Sequence, residues 1–219
     1  MKKASDRAWL ALLLALLLAA GCLAGCTASQ PAADADLPAA EQSAEDAPGE
    51  SAGIELHTEG EALAATGEYT SPKSFTAETL DGLILDSAEV FGGFDVTAIN
   101  IWATWCPPCV GEMPDLAAYE KTLPEGVQLI TYCIDGRESA DQAEAVLGDA
   151  GYEGVTLAAA DGDFEAMLMQ FQYVPTTVFV AEDGTMLTDI MIGSPQDFEG
   201  TYDEYFNAAL RILGKPEME

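Results

Sequence analysis

Apolar and polar positions divide the chain into three regimes. Trp9 to Ala20 is an unbroken apolar run, Thr27 to about Thr66 holds few large apolar side chains, and from Gly67 onward the pattern turns periodic. Within that last stretch the period switches between two and 3.6, the marks of strands and helices respectively. Phe75–Leu80 and Leu83–Leu85 read as short strands about an Asp81-Gly82 turn. Ser87–Phe91 is a short helix, closed by the Gly92-Gly93 break. Asp95–Trp102 alternates, is rich in β-formers and reads as a central strand. Glu112, Met113, Leu116 and Tyr119 then recur at helical spacing, predicting a helix from Pro107 to about Thr122. Pro114 inside it removes a bond to Val110 and should kink it, and Pro124-Glu125-Gly126 stops it. Val127–Ile134 is a second buried strand. Glu138–Gly151 is an amphipathic helix with Ala143, Val146, Leu147 and Ala150 on one face. Val155–Ala159 is a short strand, and Asp163–Phe171 a short helix opened by an acidic cap. Val174–Val180 is a strand led by proline. Glu182-Asp183-Gly184 turns it into Thr185–Ile192, and Gln196–Leu213 is the closing helix, ended by Gly214 and Pro216. Strands alternate with helices in the middle and hairpins sit at both ends, which predicts an α/β domain on a mixed sheet.

Composition adds room and sign. The chain has 219 residues, 49% of them apolar, enough for one domain plus extras. A net charge of −30 argues against phosphate-backbone binding, which needs Lys and Arg, and against docking onto anionic lipid through the protein surface; it reads as a solvated face. At the N-terminus, Lys2, Lys3 and Arg7 precede the apolar run of about a dozen residues, too short for a bilayer span and right for a signal h-region. Leu23-Ala24-Gly25-Cys26 resembles the bacterial lipobox, which would make Cys26 the lipidated first mature residue. Ala20-Gly21-Cys22 is the rival, with Leu23 fitting the pattern better than Ala19, and an ordinary secretory signal with incidental cysteines is the third reading. Two acyl chains on such a cysteine anchor stably where one is marginal. The acidic stretch that follows has no Lys or Arg and too little apolar surface to offset chain entropy, so it reads as a disordered tether reaching on the order of 35 Å. The expected organisation is a signal peptide at 1–25, a lipidated N-terminus with acidic linker at 26–66, and a folded domain at 67–219. His57, the only histidine, lies in the linker. The folded part therefore has no Cys-His or Ser-His hydrolytic pair and no histidine-based zinc or copper site. Val110 after Cys109 excludes a CxxCH haem attachment.

The remaining chemistry gathers at Trp105-Cys106-Pro107-Pro108-Cys109. Ile99, Ile101 and Trp102 precede it as strand and Glu112 follows as helix, so the two cysteines sit where a strand hands over to a helix N-terminus. Free N–H groups and the helix dipole there stabilise a thiolate. Pro107 and Pro108 suit a first helical turn, where a missing N–H costs nothing. A redox dithiol is the functional reading; a structural disulfide or half of a zinc site is the alternative. Trp105 is either a core aromatic or an exposed contact for partners. Glu112, three residues after Cys109 on the same helical face, is either a surface glutamate or a buried carboxylate that moves a proton for Cys109. Cys133, in an apolar strand, reads as a buried free thiol rather than a third redox residue. Met167, Met169 and Phe171 read as core.

Asn100-Ile101-Trp102-Ala103-Thr104-Trp105-Cys106-Pro107-Pro108-Cys109, followed by Glu112-Met113-Pro114, resembles the thioredoxin-like family of TlpA/ResA-type thiol–disulfide oxidoreductases. Val174-Pro175-Thr176-Thr177 and Asp183-Gly184 resemble the family's second signature, and the likeness spans about Phe75 to Leu213. It implies a thioredoxin-like fold with an N-terminal β-hairpin and a mid-chain βα insertion, a membrane tether on the outer face of a bacterium, and no cofactor or metal beyond a Cys106–Cys109 disulfide. It implies that Cys106 is the exposed attacking cysteine and Cys109 the resolving one. It also implies that Val174–Pro175 is a cis bond packed beside the dithiol, and that Glu112 is the active-site glutamate. Trp105, Pro107, Pro108, Val174 and Pro175 would then frame the place where disulfide or dithiol partner proteins bind, with a membrane electron donor or acceptor behind them. One departure is that Phe171 to Pro175 is short of the glycine-containing lead-in usual in the family. The resemblance leans toward a reductase. An oxidase running the same chemistry backwards, a thiol peroxidase and a non-enzymatic lipoprotein with a structural disulfide stay open at this point.

Overall fold

A computed structural model describes residues 69–218. The signal peptide, Cys22, Cys26, the acidic linker and His57 lie outside the described residues. The chain order is β1 (Thr76–Thr79), β2 (Ile84–Asp86), α1 (Ser87–Phe91), β3 (Val96–Trp102), α2 (Pro107–Glu120), β4 (Val127–Cys133), α3 (Ala140–Ala150), β5 (Thr156–Ala160), α4 (Gly162–Leu168), β6 (Thr176–Ala181), β7 (Met191–Ile192) and α5 (Phe198–Ile212). Seven strands form one sheet in the order β2-β1-β5-β4-β3-β6-β7. β3 lies parallel to β4 and antiparallel to β6, while β1 pairs antiparallel with both β2 and β5. This is the mixed sheet with an N-terminal hairpin that the sequence pattern predicts. Among the described residues no helix is long and apolar enough to cross a membrane.

β3 is buried at all seven positions because both faces of the sheet are covered. Val96, Ala98 and Trp102 face α2, α3 and α5, packing with Met113, Leu116, Leu147 and Phe206. Ile99 and Ile101 face the other way, toward Phe91 of α1 and Phe164 of α4. Each such side chain withdrawn from water contributes about 1.5–3 kcal/mol, so β3 is pinned from both sides and its C-terminal end is a rigid place to mount a loop.

Three local expectations change. Thr185–Ile192 is not one strand. Val180 faces Met186 while Thr177 faces Met191, so three steps along β6 oppose five on the return, and Asp189-Ile190 leaves the ladder. The Glu182-Asp183-Gly184 turn itself holds: Gly184 N–H donates to Ala181 and Ala181 N–H to Thr185. The acids at the start of α4 do not cap it. Asp161 is the N-cap but accepts from the Thr76 N–H (2.6 Å), and Asp163 accepts from the Ser74 N–H (3.0 Å), so one carboxylate serves the first residue of β1 and the other the segment leading into it. Met169 is 82% exposed, because α4 ends at Leu168 and the next residue points outward; Met167 is buried as expected. Pro114 lies inside α2, which continues through it to Glu120.

Gly184 has φ +77°, and a Cβ there would sit 2.3 Å from the Pro72 carbonyl oxygen, whereas Gly82 at φ +86° faces open space. Gly82→Ala should cost about 1–2 kcal/mol for the left-handed backbone alone. Gly184→Ala should cost at least about 1 kcal/mol more, because Pro72 must also move. Denaturant unfolding of both variants checks this; equal losses would mean that the Pro72 contact carries no weight.

Candidate active site

β3 ends at Trp102, and the chain turns through Ala103-Thr104-Trp105 into α2. Cys106 N–H donates to the Ala103 carbonyl (3.2 Å), closing that turn. Cys106 is the N-cap of α2, with prolines in the first helical turn. Its sulfur accepts the Cys109 N–H at 3.3 Å, satisfying one of the donors a helix start leaves free. Cys106 and Cys109 are joined as a disulfide with their Cα atoms 5.3 Å apart, well within the span a disulfide needs. The turn is held from outside by Asp135, just past β4. Its carboxylate accepts the Thr104 N–H (3.0 Å) and the Thr104 hydroxyl (2.5 Å). Burial works against that carboxylate, but the Thr104 bonds, together with the Cys133 thiol, outweigh it and hold Asp135 below its ordinary range.

Opposite the disulfide lies the Val174–Pro175 peptide bond, which is cis. The Val174 carbonyl oxygen is 3.5 Å from Cys106 Sγ. The Pro175 carbonyl accepts the Gly193 N–H (2.8 Å), tying in the loop after β7. The expectation of an exposed attacking cysteine is corrected: Cys106 is 4% exposed and Cys109 0%. The Cys106 sulfur is enclosed because it is bonded to Cys109 on one side and lies against Val174 on the other. The two still differ in the expected order. Trp105, by contrast, is 64% exposed. With Ile134, Phe171, Tyr173 and Val174 it lines a depression of about 150 Å³ beside the disulfide.

Glu112 is buried, 3% exposed, which removes the surface-glutamate reading. Its Oε1 accepts the Asn100 side-chain N–H (2.9 Å). The same nitrogen reaches the Thr177 hydroxyl (3.2 Å) and Tyr202 hydroxyl (3.4 Å), and those two hydroxyls bond each other at 3.0 Å. Burial raises the Glu112 carboxyl above its ordinary range. The Ser194 hydroxyl and the Asn100 amide pull it back down, and the Asp115 charge adds to the rise. Cys133 is a buried free thiol donating to Asp135 (3.3 Å). Burial, then that bond and the Asp135 charge, push it up to about 12, so it stays protonated and poorly nucleophilic. Thr104 and Thr177 stand within the motifs quoted from the sequence but were given no role of their own there, and Asp135, Tyr202 and Ser194 were not singled out. Only Asn100 left a signal there, as an amide in the middle of an apolar strand.

A CxxC disulfide capping a helix at the end of a central strand, faced by a cis-proline from the neighbouring strand, defines a thioredoxin-fold disulfide protein. The Redoxin family model matches residues 68–203, and the chain belongs to that family. It is 28% identical over 95 residues to the thiol:disulfide interchange protein HelX of Rhodobacter capsulatus, covering 43% of this chain and 51% of HelX. It is 30% identical over 129 residues to the thiol:disulfide interchange protein CycY of Rhizobium leguminosarum bv. viciae, covering 58% of this chain and 63% of CycY. The chain thus spans about half to under two thirds of the length of these curated relatives. A crystal structure of a thioredoxin family thiol:disulfide interchange protein from Chlorobium tepidum shares the fold, with a TM-score of 0.53 and 24% identity over 67% of this chain and 99% of that one.

A carboxyl raised in the folded state favours folding while protonated, and that contribution is lost as pH rises through the raised value. Glu112→Gln lacks this loss. The Tm of Glu112→Gln relative to the parent should therefore be flat near pH 4 and climb in the variant's favour as pH rises above the ordinary carboxylate range. A difference that is constant with pH would show that Glu112 titrates as an exposed residue does.

Proposed function

We propose that this chain is a thiol–disulfide oxidoreductase that exchanges the Cys106–Cys109 disulfide with those of partner proteins, acting as a reductant. The observation that carries this reading is the CxxC pair at the N-cap of α2, 3.5 Å from the carbonyl that precedes the cis-proline. The names of HelX and CycY as thiol:disulfide interchange proteins support it. In the reduced protein the Cys106 thiolate is stabilised by the Cys109 N–H and by the positive end of the helix. It attacks one sulfur of a partner disulfide, forming a mixed disulfide and releasing the partner's other sulfur as a thiolate. Cys109 then gives its proton to Glu112 and attacks Cys106 Sγ. The Cys106–Cys109 bond forms, the bond to the partner breaks, and the second partner sulfur leaves as a thiolate. Two electrons pass from the dithiol to the partner. The departing thiolates take up two protons, one by way of Glu112 and one from solvent. Trp105, Pro107, Pro108, Val174 and Pro175 form the contact surface for the partner. Pro-Pro between the cysteines supplies no imidazole to favour the thiolate further, which fits a reductant better than a strong oxidant.

The same reading places the domain outside the cytoplasm. The signal segment 1–25 directs export, Cys26 carries lipid at the bacterial membrane, and the acidic stretch 26–66 tethers the redox domain 67–219. A membrane electron donor returns the disulfide to the dithiol.

Cys109→Ser should accumulate a mixed disulfide through Cys106 when the reduced protein meets a disulfide substrate such as insulin. Cys133 is too buried and too weakly acidic to resolve it. Non-reducing gels with mass spectrometry read the adduct, and a Cys109→Ser protein that forms none, while the parent reduces insulin, would sink the mechanism. For the anchor, Cys26→Ser should release the chain from membranes or leave it unprocessed. Full retention that is lost only when Cys22 is also replaced would move the lipid to Cys22.

A further inference from the structure

Asn100 sits at the centre of β3 with 1% of its surface exposed, beside Thr131 of β4 and Thr177 of β6 in register. A carboxamide buried there is costly unless its polar atoms find partners. Its partners are all at one end. Nδ2 faces Glu112, Thr177 and Tyr202, three acceptors for two N–H donors, while Oδ1 is buried with no partner. A residue selected for packing would be apolar. This one is arranged to hold a carboxylate on one side of its amide and to keep an unused acceptor on the other.

The groups that face Glu112 are few. Asp115 lies on its own helix, Asn100 on β3, Tyr202 on α5, and Ser194 on the loop after β7, and Cys109 precedes it by three residues on the same helix. None of these is a cation. Asn100 is the group that donates to the carboxylate and is buried, whereas Ser194, whose hydroxyl also favours the ionised form, is exposed. A lysine or arginine in place of Asn100 would hold Glu112 permanently ionised, and a leucine would leave burial unopposed. An asparagine serves both states. It donates to the carboxylate, and turning its amide over offers Oδ1 to the protonated carboxyl, with one of the Thr177 and Tyr202 hydroxyls donating to the same oxygen while the other keeps their mutual bond. The turned amide leaves its N–H groups where Oδ1 now stands, so neither state is fully satisfied and neither is locked.

We propose that Asn100, backed by the Thr177–Tyr202 hydroxyl pair, is a positioning residue that lets Glu112 both lose and accept a proton inside the core. The proposal rests on the exchange reading for its purpose, since the proton in question passes between Cys109 Sγ and the Glu112 carboxylate. It does not rest on that reading for its test.

The test is a pH titration of the oxidised full chain by NMR, with labelled glutamate and asparagine side chains and no partner present. In the parent, the Asn100 amide resonances should titrate with the same midpoint as the Glu112 carboxyl. In Asn100→Leu, of similar size but with no donor, the Glu112 midpoint should rise by about half a unit or more, and the pH profile of insulin reduction should move the same way. A purely structural Asn100 would lower stability and leave both profiles in place. Asn100 resonances that stay flat while Glu112 titrates would overturn the proposal. So would an unchanged Glu112 midpoint in a folded Asn100→Leu protein. Should Asn100→Leu not fold, the parent titration decides alone. A parent that reduces nothing would sink the exchange reading and leave the titration result standing.

Discussion

The sulfur of Cys106 occupies the place where a serine or aspartate oxygen ordinarily caps a helix. It accepts the Cys109 N–H at the first turn of α2, and the rest of the site follows from that one contact. A cap must have extended backbone, so the strand β3 has to end and turn before it, and the turn through Ala103–Trp105 provides this. The partner of the cap is the N–H of the second cysteine, so local helix geometry alone sets the Cys106–Cys109 spacing. In the proposed exchange, the N–H that caps the helix in the oxidised form is also the one that stabilises the Cys106 thiolate. Structural and chemical roles therefore fall on the same atom.

Two polar systems flank this cap, and they differ in what they do to charge. On the outer side Asp135 receives two bonds from Thr104 and one from Cys133. Several donors on a half-exposed carboxylate hold it ionised, so it works as a fixed clamp on the turn. On the inner side Glu112 is fully enclosed and has only neutral donors around it, so burial competes with them closely. One carboxyl is locked and the other is poised. The difference comes from burial and donor count, not from residue type. The same contrast separates the thiols: Cys106 has a helix N–H on its sulfur, whereas Cys133 donates to an anion and is held protonated.

Much of this was legible along the chain. The switch of period at Trp102–Pro107 marks a strand-to-helix handover, and the CxxC falls on it, so the location of the dithiol needs no tertiary information. Glu112 shares a helical face with Cys109 by spacing alone. Residues whose partners come from other elements were less legible. Asp163 looks like a helix cap until the segment leading into β1 is placed beside it, where the Ser74 N–H donates to its carboxylate. Thr185–Ile192 reads as the return strand of a hairpin because it follows a turn signal, yet its register against β6 shifts between Met186 and Met191. Met169 stands two residues after the buried Met167, on the opposite side of a helical turn, and so points away from the core.

What the sequence determined by itself was the set of elements, the position of the reactive pair at a helix start, and the side of that helix on which a carboxyl follows. These depend on periods and spacings within single elements, and local backbone geometry enforces them. What only the tertiary structure decided was accessibility and protonation. Cys106 is closed over because β6 brings Val174 to it, and Trp105 is open because nothing among the described residues covers it. Glu112 is poised because β3, β6 and α5, distant in sequence, meet around it with an amide and two hydroxyls and no cation. Desolvation and hydrogen bonding act through space, at distances the order of residues does not encode until the sheet is assembled.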